Sequence, residues 1–137
     1  PKVDLGVDLV AEKFTGEFER KDPRTGKINM VGSVKNGELH GTSYSYDENG
    51  KVTEEITFKK GMKEGASKLY YPSGAVAAKL NYKNDRYEGL QKYYYENGKL
   101  QAEIEMSKGQ LDGVTKMYDE NGKLKEEIIY KNGKKVK

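Results

Sequence analysis

The chain offers little from which catalysis could be built. His40 is its one histidine and it has no cysteine, so a metal centre or a nucleophile with its base would need several carboxylates converging on one point. The adjacent acids Glu54 with Glu55, and Glu126 with Glu127, look like paired carboxylates. Neighbours on a strand point to opposite faces, so neither pair can share a substrate, and solvated strand charge is the expectation. His40 stands where Glu64, Glu88 and Asp112 stand at equivalent positions, which reads as a surface residue ahead of a glycine. Serines and threonines have no base in any recognisable arrangement. The glycines punctuate turns instead of forming a phosphate-binding or dinucleotide-binding pattern. The expectation is a protein that is not an enzyme, with no cofactor and no metal.

Those residues are positioned by a repeat. Gly41, Gly65, Gly89 and Gly113 are each 24 residues apart, and Gly16 opens an earlier copy one residue longer. Nine residues after each regular start comes a second glycine, Gly50, Gly74, Gly98 and Gly122, mostly within Glu-Asn-Gly-Lys, which predicts a type I turn closed by a glycine bulge. Eleven residues further lies another turn, at 59–62, 83–86, 107–110 and 131–134. Each copy is then a β-hairpin, and apolar residues follow period two instead of 3.6. The predicted fold is all-β, an elongated, curved antiparallel meander of five tandem hairpins, at 16–40, 41–64, 65–88, 89–112 and 113–137, behind a capping segment over 1–15. Val3, Leu5, Val7 and Leu9 alternate with charged or small residues, which favours a capping strand, with a short helix over 7–13 as the alternative.

Counting back from the Asn-Gly loop without interruption pairs Tyr94 with Leu100, Lys92 with Ala102 and Leu90 with Ile104 on one face. The other copies give Tyr46 with Val52 and Thr42 with Ile56, Tyr70 with Val76 and Ala66 with Leu80, and Tyr118 with Leu124 and Val114 with Ile128. To keep Leu39 and Leu111 inside as well, the parity has to shift at a bulge at the acid-Gly or His-Gly step, 40–41, 64–65, 88–89 and 112–113. On this register Tyr46, Tyr70, Tyr94 and Tyr118 line the inner, concave face. Leu69, Tyr71, Tyr93 and Tyr95 point outward from the middle copies as an aromatic-aliphatic patch about two strand spacings, roughly 10 Å, across. Such a patch marks a partner-binding site, with the concave tyrosines as the alternative.

Hydrophobic and charged residues each make up 34% of the chain, too little apolar material for a two-layer core but sufficient for an array that needs only contacts between neighbouring copies. The net charge is +3, and residues 113–137, with seven basic and four acidic, hold the whole excess. A neutral body lacks the basic stripe that nucleic acid requires. The end at 131–137 reads as an edge-protecting, solvated terminus. No apolar run is long enough for a helical membrane span. The chain begins at Pro1 instead of Met. This suggests a removed signal peptide, a longer parent or an expression boundary, leaning toward an extracytoplasmic location with the cytoplasm as the alternative.

The stretches GLQKYYYENGKLQAEIEMSKGQLDG and GVTKMYDENGKLKEEIIYKNGK resemble the bacterial variant of the MORN repeat found in YwqK-type putative antitoxin proteins, over about nine-tenths of the chain. YSYDENGKV at 44–52 is similar to the YD repeat of secreted shell proteins, but the second half of the unit suits the MORN variant better. The resemblance implies hairpin repeats in an extended sheet and a protein-binding role, in some members as the immunity partner of a toxin, and no catalytic residues. The first copy, with Asp22 to Lys27 in place of the Asn-Gly loop, departs from the pattern. The leading expectation is a protein-interaction scaffold. The alternatives are attachment to a membrane or envelope surface through Lys131, Lys134, Lys135, Lys137 and the tyrosines, and glycan stacking on Tyr71, Tyr93 and Tyr95.

Overall fold

A computed structural model describes Val3–Asp4 and residues 14–136. Fifteen strands are present among the described residues. They are β1 (Val3–Asp4), β2 (Gly16–Lys21), β3 (Ile28–Lys35), β4 (Glu38–Leu39), β5 (Gly41–Tyr46), β6 (Val52–Lys59), β7 (Met62–Lys63), β8 (Gly65–Tyr70), β9 (Val76–Lys83), β10 (Arg86–Tyr87), β11 (Gly89–Tyr94), β12 (Leu100–Ser107), β13 (Gln110–Tyr118), β14 (Leu124–Lys131) and β15 (Lys134–Lys135). They form one open sheet in chain order, with β4, β7 and β10 each folded back on the strand before it. All pairings are antiparallel except β1 with β2 at the first edge. The proposed 7–13 helix and Lys137 lie outside the described residues.

Two turn types alternate because two loop chemistries alternate. In the long loops the N–H of Gly50 donates to the Asp47 carbonyl at 3.0 Å and that of Asp47 to Lys51 at 2.9 Å, with Gly50 at φ 79°. This is the expected type I turn with its glycine bulge, and Asp47 Oδ1 reinforces it by accepting from the N–H groups of Asn49 and Lys51. The two-residue loops at 36–37, 60–61, 84–85, 108–109 and 132–133 have positive φ at both central residues, even where Asp85 replaces glycine. That is the type I′ geometry that matches strand twist. The last four of these turns also join neighbouring copies. The N–H groups of Gly61, Asp85, Gly109 and Gly133 donate to the carbonyls of Leu39, Lys63, Tyr87 and Leu111 at 2.7 to 3.0 Å.

The register differs from expectation in one respect, and that difference turns the faces over. Tyr94 does pair with Leu100, but the next pair is Tyr93 with Ala102, so Gln101 is an extra residue. The same slip separates Ser45 from Tyr46, Leu69 from Tyr70 and Met117 from Tyr118. Below it the partners are Gln91 with Ile104 and Leu90 with Glu105, Ser43 with Ile56 and Thr42 with Thr57. Likewise Ser67 pairs with Leu80 and Ala66 with Asn81, and Thr115 with Ile128 and Val114 with Ile129. The glycine steps are kinked, with Gly41, Gly65, Gly89 and Gly113 all at positive φ. They do not change parity, because Leu111 faces Met106 and Thr115 faces Ile104 on the same side. A strand bulge beside the loop therefore performs the parity shift assigned to the glycine, and one slipped residue sends every side chain beyond it to the other face.

Among the described residues the packed face carries every buried side chain. Phe18, Val34, Ala78, Leu80 and Ala102 are buried there, together with Ser43, Ser67, Gln91 and Thr115. Phe18 and Val34, backed by Phe14, Met30 and Leu39, make a hydrophobic cluster at the first end. The accessible surface is 8800 Å², against about 7200 Å² for a compact chain of this mass. Stability thus comes from neighbour-to-neighbour contacts along the array.

Candidate functional site

The sequence-predicted patch does not form as expected. Leu69 pairs with Ala78, and Tyr93 pairs with both Ala78 and Ala102, so both side chains lie on the packed face. Tyr71 and Tyr95 are half-buried stitches between copies, their hydroxyls donating to the carbonyls of Tyr94 at 2.6 Å and Tyr118 at 2.7 Å. Beside Tyr93, the rings of Tyr82 and Tyr87 stack at 4.9 Å between centroids, with Lys63 Nζ 5.1 Å from the Tyr82 ring. Burial first, then the neighbouring Tyr87, pushes the phenols of Tyr82 and Tyr93 above their ordinary value. These tyrosines link the middle copies to one another.

Tyr46, Tyr70, Tyr94 and Tyr118, expected inside, lie on the opposite, open face. Tyr70 donates its hydroxyl to Glu55 at 3.4 Å and Tyr118 to Glu103 at 3.1 Å, each reaching back to the preceding copy. Burial followed by the neighbouring carboxylate raises both phenol pKa values. Tyr94 has a cation in the corresponding place, with Lys79 Nζ 5.7 Å from its ring centroid.

Next to the tyrosine row, a charged row crosses the same face perpendicular to the strands. Cross-strand partners run Tyr44, Glu55, Lys68, Lys79, Lys92, Glu103, Lys116 and Glu127. Signs alternate except at the centre, where Lys68, Lys79 and Lys92 stand directly opposite one another. Among the described residues the close ion pairs are those of Arg24 with Asp22 and Glu48; Lys68 stands opposite Glu55 and Lys92 opposite Glu103 without forming one, and Lys79 has only lysines as its cross-strand neighbours. A third row adds aliphatic surface through Ala66, Leu90 and Val114, with Leu90 36% exposed. A shallow groove runs along Ala66, Lys68, Lys79, Asn81, Leu90 and Lys92.

The lysine row was not found by sequence reasoning. A signal existed, since Lys79 occupies the position of Glu55, Glu103 and Glu127 in the other copies, but only the register shows which residues face it. His40 is exposed and its main-chain N–H donates to Ser33 at 3.0 Å. Glu54 and Glu55 part to opposite faces, against Leu69 and Lys68. Among the described residues no three histidine, aspartate or glutamate side chains converge in a way that could hold a metal ion.

A single open layer of hairpins on a 24-residue period, with its side chains arranged in rows across the strands, defines a tandem-repeat scaffold. Residues 39–60, 63–84, 87–108 and 111–132 match the MORN repeat variant, together more than half of the chain, and the protein belongs to that family, a non-catalytic repeat type. The first copy, at 16–40, lies almost wholly outside the matched residues. No curated protein sequence matches the chain significantly.

Proposed function

We propose that the protein is a non-catalytic scaffold that docks a protein partner on its open face, through the row Tyr46, Tyr70, Tyr94 and Tyr118 and the aliphatic row beside it. The observation that carries this reading is the segregation of the two faces. Among the described residues one face holds the buried side chains, whereas the other presents half-exposed tyrosines, two of them bonded to the preceding copy, with Leu90 and Val114 beside them. Tyrosines of this kind supply large contact area at low entropic cost. The docking surface is accordingly moved from Leu69, Tyr71, Tyr93 and Tyr95 to this row. The resemblance to YwqK-type proteins supports a toxin-like partner, for which the chain acts as the immunity component.

The test is capture of a partner from the source cell by the parent and by a Tyr70→Ser, Tyr94→Ser variant. The variant should melt within a few degrees of the parent and lose the partner at least ~30-fold in affinity, the loss that a single interface anchor of about 2 kcal/mol would give. A partner retained by this variant at parental affinity would put the docking surface elsewhere. Binding that moves to anionic vesicles and depends on Lys131, Lys134 and Lys135 would instead favour membrane attachment.

A further inference from the structure

We infer that Lys68, Lys79 and Lys92 form the seat for an acidic amphipathic helix of the partner, with Lys79 setting the specificity. This rests on the docking face proposed above and names the chemistry that the face selects.

Three observations lead there. The first is the break in alternation. Lys116 sits between Glu103 and Glu127, whereas Lys79 sits between Lys68 and Lys92, in a position that is glutamate in three other copies. Like charges placed directly opposite are unfavourable in a sheet, and Lys79 alone among the lysines of the row has no acid beside it, Lys68 standing opposite Glu55 and Lys92 opposite Glu103, so an anionic partner relieves the repulsion centred on Lys79. The second is the surroundings. On one side lie Tyr70 and Tyr94, on the other Ala66 and Leu90, so the charges are embedded in a surface suited to apolar contact. No buried, convergent donors surround the three ammonium groups, as a small-anion pocket would require. Charge complementarity therefore points to an extended surface that is acidic along one line and apolar on both sides.

The third is geometry. The main chain here lies inside the sheet and is engaged by strands on both sides, so it offers no edge to an added strand. A helix satisfies its own backbone and needs only side-chain contacts. Successive carboxylates at i, i+4 and i+7 advance about 5 Å per step along a helix, and neighbouring strands are about 4.8 Å apart. A helix laid across β8, β9 and β11 thus keeps its acids in step with all three lysines. Its flanking apolar residues then meet Leu90 on one side and Tyr94 on the other.

The experiment uses the full chain and a fluorescent helical peptide with glutamates at i, i+4 and i+7 flanked by leucines. An isomer of identical composition, with the glutamates spread around the helix, is the comparison. Anisotropy should show the patterned peptide binding at least about tenfold tighter than the isomer at low salt, with the preference shrinking as ionic strength rises. Lys79→Glu should lose at least about tenfold in binding to it while melting about 2–5 °C higher, because alternation is restored. Lys123→Gln, in an exposed turn away from this face, should bind as the parent does.

Equal binding of the two peptides by the parent, or undiminished binding by Lys79→Glu, overturns the lysine seat. If the Tyr70→Ser, Tyr94→Ser variant still loses peptide in the second case, the docking face stands without it. If neither variant loses peptide, both readings fall. Phosphatidylserine vesicles bound in a Lys79-dependent way, with no patterned-peptide preference, would replace the helix with a lipid surface.

Discussion

Gln91 clamps the main chain of Asn81: its Oε1 accepts from the Asn81 N–H at 2.7 Å and its Nε2 donates to the Asn81 carbonyl at 3.1 Å. The same amide lies 3.4 Å from the Glu88 carbonyl and 3.3 Å from that of Gly89, and Gln91 is 1% exposed. It caps the main chain where the glycine step parts β9 from β11. The equivalent residues Ser43, Ser67 and Thr115 are too short to reach, and their buried hydroxyls make no hydrogen bond among the described residues.

Positions related by the repeat should therefore respond differently. Gln91→Leu leaves a buried N–H without its acceptor and should cost about 1–3 kcal/mol, whereas Ser67→Ala removes a hydroxyl with no partner and should change stability by less than about 0.5 kcal/mol. Denaturant titration of the two variants measures this. Similar losses in both would show that the clamp contributes little.

Tyr93→Ala should destabilise more than Tyr94→Ala, by about 1–2 kcal/mol. Tyr93 packs over Ala78 and Ala102 beside the Tyr82 and Tyr87 pair, whereas Tyr94 rests on the open face. Thermal melts that ranked Tyr94 as the costlier loss would return the faces to the uninterrupted register.

Gly98→Val probes the loop without a packing change. A Cβ at Gly98 would meet nothing within 4 Å, so its φ of +86° is the only obstacle and the cost should be about 1–2 kcal/mol. Gly32→Ala is the converse, because its φ is ordinary but an added Cβ would lie 2.9 Å from Phe18 Cζ and against the Ser43 hydroxyl. It should destabilise the first end of the array through overlap. Finding Gly98→Val neutral in a melt would remove the turn assignment.

Alkali should loosen the middle copies. Folding favours the neutral phenols of Tyr82 and Tyr93, whose pKa values lie above the ordinary 10. Their contribution is whole below pH 10, where the unfolded chain is also protonated, and is lost as pH rises from there through the raised folded values. Melting followed from pH 9 upward should fall more steeply for the parent than for Tyr82→Phe. Parallel curves would mean that these phenols are not linked to folding.

Much of the architecture was legible in local chemistry. The spacing of Gly41, Gly65, Gly89 and Gly113 marks the period, and Asp47 to Gly50 specifies its own turn because Asp47 caps two main-chain N–H groups and Gly50 takes the positive φ. The candidate site was less legible. Gln101 differs little from its neighbours as a strand residue, and nothing local says that it is the unpaired one. Missing that single residue put Leu69 and Tyr93 outside and Tyr70 and Tyr94 inside.

What the sequence by itself determined was the repeat, both turns of the regular hairpins and the all-β class, since each follows from residues close together in the chain. Only the tertiary structure decided which face packs and which is open, because a pleat of period two carries no sign until a bulge and a register supply one. It also decided that Lys68, Lys79 and Lys92 adjoin. They are separated by 11 and then 13 residues in a chain whose charges nearly balance, and only antiparallel pairing on both sides of Lys79 brings the three like charges into one row.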